Sequence, residues 1–169
     1  MAFTRQGLSF REVEEFDFEW LRALRNDPRS AGGWRDPRSV QTLHVQEEWY
    51  GSLNNLNQAF VAGDGNQTVG LLRFKLDYAM SEARMTGTDV MPEMVGQGYG
   101  RRILRAGADY VIQDLGFHRV TAEALESNTA AIHIIQAAGF KAEGVLRSYI
   151  WRNGKWNNWH LFSRLREDE

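Results

Sequence analysis

No cysteine occurs in the 169 residues, so disulfides, thiolate metal sites and a cysteine nucleophile are excluded. Lysine is nearly absent too: of 20 basic residues only Lys75, Lys141 and Lys155 are lysines. An arginine skew suits phosphate or carboxylate recognition, and genome composition alone produces it equally well. Positive charge is not in excess. Twenty basic residues meet 22 acidic ones for a net charge of −2, which lowers a general nucleic-acid binder in rank. The longest purely apolar run, Ala59 to Ala62, is far below the 18 or so residues that span a bilayer. Glu12, Glu14 and Glu15 stand where a secretory leader needs an apolar stretch. No internal repeat and no low-complexity segment is found. The expectation is a soluble, cytoplasmic protein with neither membrane nor nucleic acid as partner.

What is present is enough for a core. Hydrophobic residues make up 43% and aromatics 12%, which argues against disorder. A chain of this length is expected to form one domain, 1–169, burying about 70% of its unfolded surface. Leu8 to Val13 alternates as a strand does. Phe16, Trp20, Leu21 and Leu24 then follow at helical spacing, until Asp27-Pro28 stops the helix. The stretch 29–38 reads as a loop, and Val40 to Leu53 as a second helix with Val40, Leu43, Trp49 and Leu53 on its buried side. Strands are predicted over 59–62, 69–76 and 85–91, a helix from about 101 to Gly116, and a strand over 119–125. A helix over 128–138 and strands over 140–146 and 156–165 complete the order β-α-α-β-β-β-α-β-α-β-β. The fold class is mixed α/β (α+β). The 85–91 and 119–125 strands are joined by a helical crossover, so they should be parallel and central.

Gly96-Gln97-Gly98-Tyr99-Gly100-Arg101 lies between a predicted strand and a helix. A helix N-terminus offers free N–H groups and about half a positive charge, and glycines let a phosphate come close. A tight turn with no ligand is the plainer reading of the glycines alone. Two nucleotide loops fail on spacing. A Walker A loop needs Gly-Lys-Ser/Thr, and no lysine is near; a dinucleotide fingerprint needs glycine where Arg101 stands.

These residues resemble the acyl-CoA-binding motif of the GNAT superfamily of N-acetyltransferases, Arg/Gln-x-x-Gly-x-Gly/Ala at a strand-to-helix junction. Glu123 to Asn128, Ala131-Ile132, Ala138-Gly139-Phe140-Lys141 and Glu143-Gly144 are similar to its next signature. Phe18 to Leu21, Arg25 to Pro28 and Asn153 to Trp156 resemble its ribosomal-protein N-terminal (alanine/serine) acetyltransferase branch. That branch also holds enzymes for antibiotics and polyamines. Nearly the whole chain is covered. The resemblance implies a central mixed sheet of about six or seven strands, splayed between two parallel strands and flanked by about four helices. It departs at Val95 (often Arg or Gln), Ala131 (often Ser), Asn158 (often Asp), and Ile135, where many relatives carry a tyrosine that protonates the leaving thiolate.

The implied activity is transfer of an acetyl group from acetyl-CoA to a primary amine, by direct attack in a ternary complex. The acceptor would be a protein N-terminus, or alternatively a small amine such as a polyamine or antibiotic. An acyl-CoA-binding regulatory module with weak catalysis is the other alternative. The implied cofactor site is Val90, Met91, Val95, Gly96, Gln97, Gly98, Tyr99, Gly100, Arg101 and Asn128, with an N–H near Val90 or Met91 as oxyanion donor. Glu123, near apolar walls, is the expected general base, with Asn128 as its catalytic companion. Glu123 reads equally as a salt-bridged strand glutamate, and Asn128 as a helix cap. Asp89 is the competing carboxylate, and Glu126 resembles a loop acid. Tyr149 or water would replace the proton donor missing at Ile135. His133 is expected at the surface, and His44, His118 and His160 lack ligand spacing, so no metal is expected. Trp34, Arg35, Arg38, Trp151, Trp156 and Trp159 would border the acceptor; core packing or a homodimer face are other uses for the tryptophans.

Overall fold

The computed structural model describes residues 2–29 and 40–168, so the expected acceptor-loop residues Trp34, Arg35 and Arg38 lie outside the described residues. The strands are β1 (Ala2–Arg5), β2 (Leu8–Glu12), β3 (Asn57–Asp64), β4 (Gln67–Asp77), β5 (Glu82–Val90), β6 (Arg119–Leu125), β7 (Lys141–Arg152) and β8 (Lys155–Leu165). The helices are α1 (Phe18–Asn26), α2 (Leu43–Gly51), α3 (Tyr99–Asp109) and α4 (Thr129–Ala137). All eight strands join one mixed sheet in the order β1-β2-β3-β4-β5-β6-β8-β7, and the expected mixed α/β fold with a GNAT-like sheet is the one observed. The strand beyond the expected number is β1. It pairs with β2 through the Gln6-Gly7 turn and stacks Phe3 on Phe10 and Tyr110 at 4.5 and 4.1 Å.

Each face of the sheet carries its own core. On one face Leu72, Phe74, Ala83, Met85, Val120, Ala122 and Ala124 pack under α3 and α4, whose Ile103, Leu104 and Ile135 are buried. On the other face Ala59, Val61 and Leu71 pack with Leu21 of α1, and Trp20 and Trp49 lie against them. The register fixes these faces, because paired residues of an antiparallel ladder share a side. α2 differs from its expected burial: Val40 and Leu43 are exposed, and the buried position is Gln46, whose amide oxygen accepts from Arg25 at 2.9 Å. Phe16 is also exposed, since helix α1 begins only at Phe18. Asp17, just before it, is buried. It accepts from Arg11 at 2.7 Å on both oxygens, from the Glu14 N–H at 2.9 Å and from the Trp20 indole at 2.8 Å.

Two irregularities shape the middle of the sheet. β5 is parallel to β6, yet only Glu82, Ala83 and Arg84 pair, with Arg119, Val120 and Thr121. Beyond that rung β5 stays with β4 and β6 stays with β8, so the two central strands part as expected. β7 runs to Arg152, past its expected end at Leu146. A bulge between Leu146 and Ile150 interrupts the alternation there, with Ser148 at φ +49°, and hides the continuation of the strand from a periodicity argument. Among the described residues no helix is long and apolar enough to cross a membrane.

Candidate active site

The opening between β5 and β6 presents unpaired backbone. The Met91 N–H donates to the Val69 carbonyl at 3.0 Å, so it faces β4, and the Met91 carbonyl accepts from Met94 N–H at 2.8 Å. Successive residues of a strand turn their N–H and C=O to opposite sides, so both groups of Val90 face the opening. The Asp89 carbonyl agrees with this alternation: it lies 2.2 Å from where a Cβ on Gly70, in β4, would stand. Of the two expected oxyanion donors, Met91 has therefore already spent its proton, and Val90 has not.

The glycine turn follows. Gly96 and Gly98 take left-handed conformations, φ +84° and +83°, which an L side chain adopts only at a cost. Nothing lies within 4 Å of a Cβ built on either, so the backbone there is open to a ligand. Val95 and Gln97 turn their N–H groups back onto Pro92 and Met94 carbonyls at 3.4 and 3.3 Å. Gly96 and Gly98 donate to no backbone acceptor among the described residues. Tyr99, Gly100 and Arg101, in the first turn of α3, have no intrahelical acceptor for theirs. The outcome is a concave set of donors at a helix N-terminus, suited to a phosphate. Gly100 has a second role: it is buried, and a Cβ on it would meet Ile134 of α4 at 3.0 Å. The side chains around it fasten the helix end. Tyr99 and Arg102 both reach Asp64 at 3.1 Å, and Arg102 also donates to the Gln6 and Gly7 carbonyls. Arg101 is exposed.

The carboxylates sit on the other face. Glu123 lies on β6 two residues beyond the last rung shared with β5. Its Oε2 accepts from Arg84 at 2.8 Å and from the Trp159 indole at 2.7 Å, while Oε1 accepts nothing among the described residues. The expected apolar walls are thus replaced by a guanidinium and an indole. The competing Asp89 is bound to Arg73 at 2.8 Å, and both side chains are mostly buried. Gly87, opposite Arg73, makes that pair possible, since a Cβ there would stand 2.1 Å from the guanidinium. Asn128 caps α4, its Oδ1 accepting from Ala131 N–H at 3.1 Å. Ile135 is buried in the core and has no acidic proton to transfer. The β7 bulge is held by Asn158, which accepts from Ser148 N–H at 2.9 Å and donates to Glu126, and it brings Tyr149 within 6.2 Å of the Trp159 ring. His133 is exposed, and Trp151 and Trp156 meet edge to face on an exposed hairpin end.

The chain matches the Acetyltransferase (GNAT) family over residues 18–140. It belongs to that family. This GNAT protein is therefore an acetyl-CoA-dependent N-acetyltransferase, as its motifs imply. The spermidine N(1)-acetyltransferase of Vibrio cholerae is 24% identical over 155 residues, 89% of this chain and 88% of its own length. A probable N-acetyltransferase of Bacillus subtilis, YjcK, is 28% identical over 74 residues, 44% of this chain and 41% of its own. The crystal structure of the Vibrio cholerae spermidine N-acetyltransferase in complex with CoA and spermine superposes with a TM-score of 0.85 at 23% identity, covering 96% of this chain and 97% of that one. At that identity the superposition speaks for the fold. The resemblance to the family stands, while the relative whose name gives an acceptor is a spermidine enzyme and not a ribosomal-protein one.

Arg73, Arg84 and Trp159 escaped assignment to the two carboxylates. Gly87 carried one signal, since a glycine inside a strand marks close approach of another group.

Proposed function

We propose that this GNAT protein transfers acetyl groups to a small-molecule primary amine of the polyamine class, acting in the cytoplasm with residues 1–169 as one domain. The supporting observation is the opening beyond Arg84 and Thr121, which joins unpaired Val90 backbone to the open glycine turn on one face and to Glu123 on the other. The relatives' named substrate supports the acceptor class.

Acetyl-CoA supplies a thioester whose carbonyl carbon takes the amine lone pair and whose C–S bond then breaks. In this reading the N–H groups of Gly96, Gly98, Tyr99, Gly100 and Arg101 bind the pyrophosphate, and the Val90 carbonyl pairs with an amide of the pantetheine arm. Val95, Gln97 and Met91 shape the turn rather than donate. The Val90 N–H faces the developing oxyanion. Glu123 takes the ammonium proton, directly or through one water, with Oε1 as the accepting atom. Asn128 holds the start of α4 beside the opening. With Ile135 unable to donate, Tyr149 or water returns a proton to the sulfur.

A protein N-terminus is the second reading, favoured by the exposed guanidinium of Arg84, which would suit an acceptor bearing an acidic group. A panel of spermidine, short peptides and aminoglycosides with acetyl-CoA separates the two. CoA release stimulated most by spermidine is expected; stimulation only by peptides would overturn the polyamine reading.

A further inference from the structure

Arg84 has a place in the site that the transfer reaction itself does not explain. It is the last β5 residue paired with β6, standing opposite Thr121 at the point where the strands part. Its guanidinium reaches across to Glu123 Oε2 at 2.8 Å, and its side chain is 56% exposed while that of Glu123 is only 20% exposed. The other donor to the same oxygen, the Trp159 indole at 2.7 Å, is neutral and held within β8. The carboxylate therefore has one fixed neutral partner and one solvent-facing cation on a flexible stem. Asp89, by contrast, is paired with an arginine whose side chain is only 12% exposed.

A cationic amine that approaches Glu123 brings a second positive charge to an oxygen pair already neutralised by the first. Like charges at that distance repel, and a carboxylate shared between two cations binds each more weakly. We infer that Arg84 is a specificity-determining residue that competes with the acceptor ammonium for the charge of Glu123: while the guanidinium holds Oε2, an ammonium arriving at the open Oε1 binds weakly, and it gains its full attraction when the guanidinium swings out into solvent. The device rests on the reading of Glu123 as the group that faces the amine. It sets a threshold: a polycation displaces Arg84 more readily than a monocation does, because its further charges repel the departing guanidinium as well.

The test is calorimetric titration of spermidine into the CoA-saturated protein, comparing wild type, Arg84→Gln and Arg84→Lys, with thermal melting as the check on folding. Loss of one charge-assisted competitor should tighten spermidine binding about tenfold in Arg84→Gln. Arg84→Lys, which keeps a cation, should remain close to wild type. In a Glu123→Gln background, Arg84→Gln should change spermidine affinity by less than about twofold, since the contested charge is gone. Unchanged or weaker spermidine binding in Arg84→Gln, or equal tightening with Glu123 already neutralised, would overturn the inference. If binding tightens but spermidine is never acetylated, the competition stands and the polyamine reading fails. If spermidine is acetylated with affinity indifferent to Arg84, the reverse holds.

Discussion

On the α3/α4 face of the opening, the groups offered to a ligand are backbone: the Val90 N–H and C=O and the donors of the turn at Gly96 and Gly98, with open space above both glycines. On the α1/α2 face they are side chains, and each is already engaged. Arg73 holds Asp89, and Arg84 with Trp159 holds Glu123. Backbone donors fixed by a helix end and a ladder need no rearrangement to meet a ligand, which suits a carrier common to every turnover. Paired charges must exchange partners before they meet a substrate, which suits discrimination between acceptors.

The largest break in this comparison should come from Glu123→Gln. Removal of a general base typically costs about 10²–10⁴ in rate. A lysine-type amine is almost wholly protonated at neutral pH, its pKa lying near about 10.4. Turnover with spermidine at pH 7 should fall into that range and recover as pH rises and the amine deprotonates unaided. Steady-state kinetics from pH 7 to 10 would check this, with Asp89→Asn in parallel. Full activity in Glu123→Gln together with loss in Asp89→Asn would transfer the role to Asp89.

A smaller effect is expected where the α1 side is fastened to the sheet. Burial pushes the Asp17 carboxyl up, but the hydrogen bonds from Arg11, the Glu14 N–H and the Trp20 indole outweigh it and hold the group below its ordinary range. A depressed folded-state pKa stabilises the fold above the unfolded value, near about 4, and that contribution drains away as pH falls through the lower folded value. Asp17→Asn should cost about 2–3 kcal/mol near neutrality. In urea titrations the gap to wild type should narrow below about pH 4. A gap independent of pH would show that shape rather than charge is what Asp17 supplies.

The same contrast explains what could be read from the residues alone. The glycine turn is local: spacing at Gly96, Gly98 and Gly100, a strand before and a helix after were enough to locate it. The parting of β5 and β6 was expected from the family resemblance, and the crossover helix between them made them parallel neighbours. The partners of Glu123 and Asp89 are set by register across strands distant in sequence, and no periodicity along one strand reports that. Arg84 and Glu123 lie 39 residues apart, and Trp159 a further 36 beyond Glu123. Burial of Gln46 rather than Leu43 likewise follows from Arg25 stacked on Trp49 at 3.8 Å, a contact between two helices. β7 was cut short because a bulge held by Asn158 breaks alternation without ending the strand.

The division between a backbone-built carrier site and a side-chain-built acceptor site is tested most directly by calorimetric titration of CoA into wild type, Gln97→Glu and Glu123→Gln. Gln97 is exposed beside the two open glycines and does not need a left-handed backbone. Its side-chain amide donates to the Glu93 carbonyl at 3.0 Å, so Gln97→Ala, which gives up that bond without adding charge, is the control and should bind CoA close to wild type. Gln97→Glu should weaken CoA about tenfold or more, through repulsion between like charges a few ångströms apart, while Glu123→Gln should leave CoA affinity within about twofold of wild type. Equal CoA affinity in Gln97→Glu and wild type, or a loss in Glu123→Gln as large as that in Gln97→Glu, would contradict it.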